Sequence, residues 1–174
     1  VTIDALNGVT ITNGSVVAAR DGVRITDNAA PDLSGLTLTG WSNAINAYES
    51  TGDWTVADTT VTDVADGVDA SYSTGDWQLT NTTIRSASEY GIVAVGTVGG
   101  QVVSESVIRD SGHGISFSES TGDWRIDGTT IENTDSHGIL TTDSAGNWVV
   151  TETTITSTGG IGIAPYGSSG NWTV

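Results

Sequence analysis

No cysteine, methionine or lysine occurs in the 174 residues. The first absence excludes disulfide staples, thiolate metal sites and cysteine nucleophiles together. The cations are five arginines against 21 acidic residues, a net charge of −16. No basic patch can form on such a chain, so nucleic acid is excluded as a partner. No apolar run approaches the roughly 20 residues that cross a bilayer, so membrane insertion is not expected. Val1 opens no signal-like segment, and an exported form is expected to have lost its targeting segment. With 36 % hydrophobic residues the profile is that of one globular domain over residues 1–174.

What is present in abundance is a repeat. Ser-Thr-Gly-Asp-Trp ends at Trp54, Trp77 and Trp124, and relaxed forms end at Trp148 and Trp172, giving steps of 23, 47, 24 and 24 residues. The double step holds a degenerate unit in which Gly99-Gly100-Gln101 replaces Gly-Asp-Trp. Counting back, Pro31 and then Val9 take the Trp position.

Three apolar columns recur between these marks. The first is Ile11, Leu33, Val56, Leu79, Val103, Ile126, Val150 and Val174; the second is Val16, Leu38, Val61, Ile84, Ile108, Ile131 and Ile155. The third follows a small residue and reads Val23, Ile45, Val68, Ile92, Ile115, Ile139 and Ile163. Most are β-branched, which suits pleated strands, and the Gly, Asn, Asp and Ser between them suit turns. Strands this short cannot bury a face alone, so units must stack. The expected fold is all-β: a single-stranded right-handed parallel β-helix of about seven coils of 23–24 residues, with three short strands per coil. The hand follows from the preference of parallel crossovers and from the lack of a six-residue sub-period. Coil length varies between the second column and the next small residue, six steps in Val61 to Gly67 but seven in Ile84 to Gly91, so a variable surface turn is expected there.

That turn carries the one cluster with chemical promise. Register places Asn43, Asp66, Tyr90, His113 and His137 in a single column, with Glu89, Asp110 and Asp135 nearby and Arg85, Arg109 and Glu132 one column earlier. His113 and His137 are the chain's two histidines and the candidate metal ligands; beside carboxylates they can share acid–base work, and paired arginines can hold a sugar carboxylate. The competing reading is that duplication of His-Gly-Ile left them as solvated turn residues. Even spread of the acids reads as salt adaptation, with weakly bound Ca2+ or other cations at stacked turns as the alternative and no dedicated cofactor expected.

Gly114-Ile115 through Ser120, Gly122-Asp123 and Ile126 to Ile131 resemble the signature of the parallel β-helix repeat family, the pectate-lyase-like solenoids. That family spans polysaccharide lyases, hydrolases, epimerases and plain surface repeats. Its lyases imply an Arg base beside calcium-binding acids, a part open to Arg85 and Arg109, and its hydrolases imply a tight aspartate group, which the chain lacks. The acidic, lysine-free version resembles secreted or cell-surface repeats of halophilic archaea, implying an extracellular or cell-surface location. The expected role is therefore a non-catalytic scaffold or adhesive module touching polysaccharide; the alternative is a lyase-like or epimerase-like enzyme using His113, His137 and Arg109.

Strand parity points the Trp column inward with Val56 and Leu79, as an aromatic ladder and not a sugar platform. Adjacent threonines such as Thr59 and Thr60 then face opposite ways, which removes the flat threonine array an ice-binding face needs. Asn13, Asn81 and Asn171 stand in glycosylation sequons. Val1-Thr2-Ile3 enters in mid-pattern and Trp172-Thr173-Val174 opens a coil and breaks off, so a fragment of a longer array, or end-to-end self-association through terminal coils, is expected.

Overall fold

The chain was analysed as a computed structural model that describes residues 2–4, 7–18, 20–27, 30–40 and 42–174. The expectation built on Val1 lies outside them. Every strand pairing among the described residues is parallel and joins one coil to the next. First strands form an eight-stranded sheet: Asn7–Thr12, Ala30–Ser34, Trp54–Ala57, Trp77–Thr80, Gln101–Ser104, Trp124–Asp127, Trp148–Thr151 and Trp172–Thr173. We number the coils one to seven by these strands, the last of them opening an eighth. Second and third strands together make a 13-stranded sheet that bends around the core.

All three apolar columns are present in register. Leu79 pairs with Val56 and Val103, Ile84 with Val61 and Ile108, and Ile92 with Val68 and Ile115. Most of these side chains are fully buried. At roughly 1.5 to 3 kcal/mol for each buried aliphatic side chain, the ladders are the main source of stability. Ile11, Val16, Ile155 and Ile163 are partly buried, and Val174, which follows the last strand, is 81 % exposed.

The Trp column is internal. Trp54 stacks on Trp77, and Trp124 on Trp148, each with ring centroids 5.2 Å apart. Gln101 occupies the missing place, paired with Trp77 on one side and Trp124 on the other, and is buried. Thr59 is buried beside a half-buried Thr60, as parity requires.

The expected turn between second and third strands takes two forms. Val107–Ser111 and His113–Ser118, Thr130–Thr134 and Ile139–Thr142, and Thr154–Thr158 and Ile163–Tyr166 are separate strands with the corner between them. Thr60–Asp69 and Thr83–Val95 instead run through it unbroken, the extra residue of the latter taken up by a register shift between Ala87 and Tyr90. A bulge absorbs one residue with less loss of pairing than an open turn. The inward swing after it is made by glycine. A Cβ on Gly114 would strike the Gly138 carbonyl and come 2.6 Å from Ile131 Cγ2, and Gly67, Gly91 and Gly138 meet equivalent obstacles.

The coil bends at residues with left-handed backbone. Asn13, Asp58, Asn81, Glu105 and Glu152 do this after the first strand, and Asp63, Ser86, Asp110, Asn133 and Ser157 after the second. Asp27, Glu49, Tyr72, Glu119 and Asp143 do it after the third. Asn and Asp tolerate this conformation through local hydrogen bonds; glutamate gains no such relief. Aspartates of the Gly-Asp-Trp turn tie coil to coil: Asp53 accepts the Asp76 N–H at 2.8 Å and Asp123 the Asn147 N–H at 2.9 Å.

Candidate functional site

Parallel pairing from coil to coil holds the predicted column in place. Asn43 pairs with Asp66, Asp66 with Tyr90 and Tyr90 with His113, and the Gly114 N–H donates to the His137 carbonyl to extend the series. Coil spacing then brings the rings together. Tyr90 and His113 lie 5.1 Å apart with 16° between their planes, and His113 and His137 lie 5.7 Å apart, tilted by 49°. His137 in turn meets Tyr166 edge-on at 5.9 Å. Tyr166 escaped the sequence reading because it sits in another column, paired with Thr142.

A shallow groove of about 360 Å3 opens here, lined by Ser88, Glu89, Tyr90, Gly112, His113, Asp135 and Ser136. Of the predicted residues it gathers Glu89, Tyr90, His113 and Asp135. Arg85, Arg109 and Glu132 form their own ladder one column away, and none of them lines the groove. Arg109 instead lies 3.8 Å from Asp110, an exposed pair of little energetic weight. Asp110 has a backbone reason for its place, since it is one of the left-handed corner residues and accepts the Asn133 amide at 3.3 Å.

The titratable groups are pulled in opposite directions. Burial, with the charges of Glu89 and Asp69 beside it, pushes the Asp66 carboxyl up to about 6 against the opposing Tyr90 N–H, which reaches it at 3.2 Å. Burial, reinforced by His137, holds the His113 imidazole below its usual value. His113 Nδ1 is buried without a hydrogen-bond partner among the described residues. His137 Nδ1 accepts the Ile161 N–H at 2.9 Å, and His137 does not line the groove. Among the described residues no group of three or more His, Asp or Glu is disposed to hold a metal ion.

The three sequon asparagines are exposed, and two of their amides are engaged: Asn81 donates to Asp58 at 2.6 Å and Asn171 to Asn147 at 3.0 Å.

The model of the right-handed β-helix region matches residues 21–174. The chain belongs to the right-handed β-helix family. This settles the hand of the solenoid, whose coils all run parallel. Comparison with curated proteins gives no match. Within a β-helix the corner between second and third strands is a place where side chains of successive coils are held side by side at about 4.8 Å, so a ligand that itself repeats along its length finds repeated contacts.

Proposed function

We propose that this β-helix is a non-catalytic module of an extracellular or cell-surface protein, a rigid scaffold that contacts neutral polysaccharide along the Tyr90–His113 groove. The observation that carries the reading is the make-up of that groove. Its rings stack on one another along the solenoid axis, so their edges face the ligand and supply the Tyr90 hydroxyl and a His113 nitrogen as hydrogen-bonding groups. Ser88, Glu89, Asp135 and Ser136 add further polar groups around them. Sugar hydroxyls both donate and accept, as this mixture requires. Two carboxylates and no arginine in the lining favour a neutral chain over a uronate.

Affinity electrophoresis tests this. Migration through gels containing a soluble neutral glucan or mannan is expected to slow, while polygalacturonate gels leave it unchanged; Tyr90→Phe and Glu89→Gln should each restore mobility. Equal mobility of wild type and both variants in every gel overturns the reading.

One observation favours a second reading. Asp66, protonated up to about pH 6, and a neutral His113 stand in one column with Tyr90 between them, the split of protonation states that acid–base chemistry uses. A lyase-like enzyme of that kind would shorten a polysaccharide, and Asp66→Asn would stop it.

A further inference from the structure

Asp27, Glu49, Tyr72, Gly96, Glu119, Asp143 and Gly167 occupy equivalent left-handed positions after the third strand, and Tyr72 is the only aromatic among them, at φ 58°. A bulky residue in this conformation is a genuine outlier. Burial does not explain it, because the side chain is 49 % exposed. The ring is nonetheless seated: a Cβ on Gly96 in the next coil would lie 2.9 Å from it. Tyr48, 42 % exposed, meets it edge-on with centroids 5.4 Å apart. Strain kept at an exposed side chain points from geometry to function.

The other side of Tyr48 opens on a groove of about 380 Å3, lined by Arg24, Thr26, Asp27, Tyr48 and Glu49. Among the described residues Arg24 forms no ion pair, although two carboxylates share the groove with it. Asn46 Oδ1 accepts the Tyr48 N–H at 3.1 Å and fixes the backbone beneath the ring. The Tyr48 hydroxyl is held protonated above its ordinary range by desolvation and by Glu49, so it remains a donor.

We infer that Tyr48, Tyr72 and Arg24 form a second carbohydrate subsite, on coils one to three, that takes a pyranose residue of a neutral oligosaccharide. The exposed tyrosine pair supplies apolar surface for the sugar's C–H groups, with hydroxyls at its rim. Arg24 donates to ring or hydroxyl oxygens, and Asp27 and Glu49 accept from hydroxyls. One arginine against two carboxylates leaves the groove anionic, which excludes a uronate. The subsite lies at a different corner from the Tyr90–His113 groove and stands independently of it.

The chain has four tyrosines, which makes the test selective. Tyrosine ring resonances of the whole chain, 13C-labelled and assigned through Tyr→Phe variants, are followed while mannohexaose, cellohexaose or hexagalacturonate is added. The Tyr48 and Tyr72 signals are expected to move with a neutral hexasaccharide and to stay with hexagalacturonate. Tyr72→Gly should abolish the Tyr48 response while leaving Tm unchanged or higher, because glycine relieves the left-handed backbone. Movement of Tyr90 alone overturns the second subsite and leaves the first standing; movement of Tyr48 and Tyr72 alone does the reverse. A lower Tm in Tyr72→Gly would make Tyr72 a packing residue and overturn the inference, as would no response at Tyr48 and Tyr72.

Discussion

Gln101 pairs with Trp77 of the coil below and fills a tryptophan place in the internal ladder, yet both its amide nitrogen and its amide oxygen are buried without a hydrogen-bond partner among the described residues. An unsatisfied buried amide costs on the order of 1–3 kcal/mol. Ala94, in the preceding third strand, is as small as Ala47 and Ala70, the residues that precede Trp54 and Trp77 in the same way. Gln101→Trp is therefore expected to complete the stack and raise the thermal midpoint by about 2–10 °C at this chain length. A drop measured by calorimetry would mean that ordered water already satisfies the amide.

Gly114 sets the inward swing of coil five. Gly114→Ala places a Cβ against the Gly138 carbonyl and Ile131, backbone and core that have no room to give. The expected loss is about 3 kcal/mol or more, in the range of severe overpacking. Gly128→Ala is the control: its Cβ meets nothing closer than 3.8 Å, so only the strain of its φ of 56° is felt. Equal denaturation midpoints for the two variants would contradict this account of the corner.

Asp66 gives a pH dependence of definite sign. Its folded pKa of about 6 stands above the ordinary 3.8, so between those values the folded state holds more protons than the unfolded. Stability from this group is then lost as pH rises from about 4 to 6. Asp66→Asn should leave Tm near the wild-type value at pH 4 and raise it at pH 7. His113 acts in the opposite sense, its lowered pKa costing stability as pH falls below 6.5, so the comparison must be between variant and wild type at each pH.

Salt should stabilise the chain. Nine of its 21 acidic residues sit at left-handed turn positions, and four of the nine are glutamates, which the backbone does not favour there. Their presence at outward turns argues for a surface selected for charge, and a net −16 repels itself until it is screened. Tm is expected to climb from low to molar KCl. A flat or falling profile would contradict the reading.

How far the sequence reached depended on the kind of contact. Interior columns were legible because parallel stacking places like on like, so Ile84, Ile108 and Ile131 announce their pairing by spacing alone. The Tyr90–His113 neighbours followed from the same register. Tyr166 did not, since its approach to His137 crosses columns. Neither did the Tyr48–Tyr72 pair, because nothing in the spacing shows that Tyr72 holds a left-handed turn. That the Thr83–Val95 corner takes its extra residue as a bulge while the corners before Gly138 and Gly162 stay turns was not legible, because a one-residue change in length looks the same in sequence either way.

The scaffold reading stands or falls on what happens to a polysaccharide held by the protein. Size-exclusion chromatography with light scattering, run on an overnight mixture of the protein with a neutral glucan or mannan that slows it in gels, reads both binding and chain length. The account predicts co-elution of the protein with a polysaccharide of unchanged molar mass. A shortened polysaccharide, or protein eluting apart from an intact one, would contradict it.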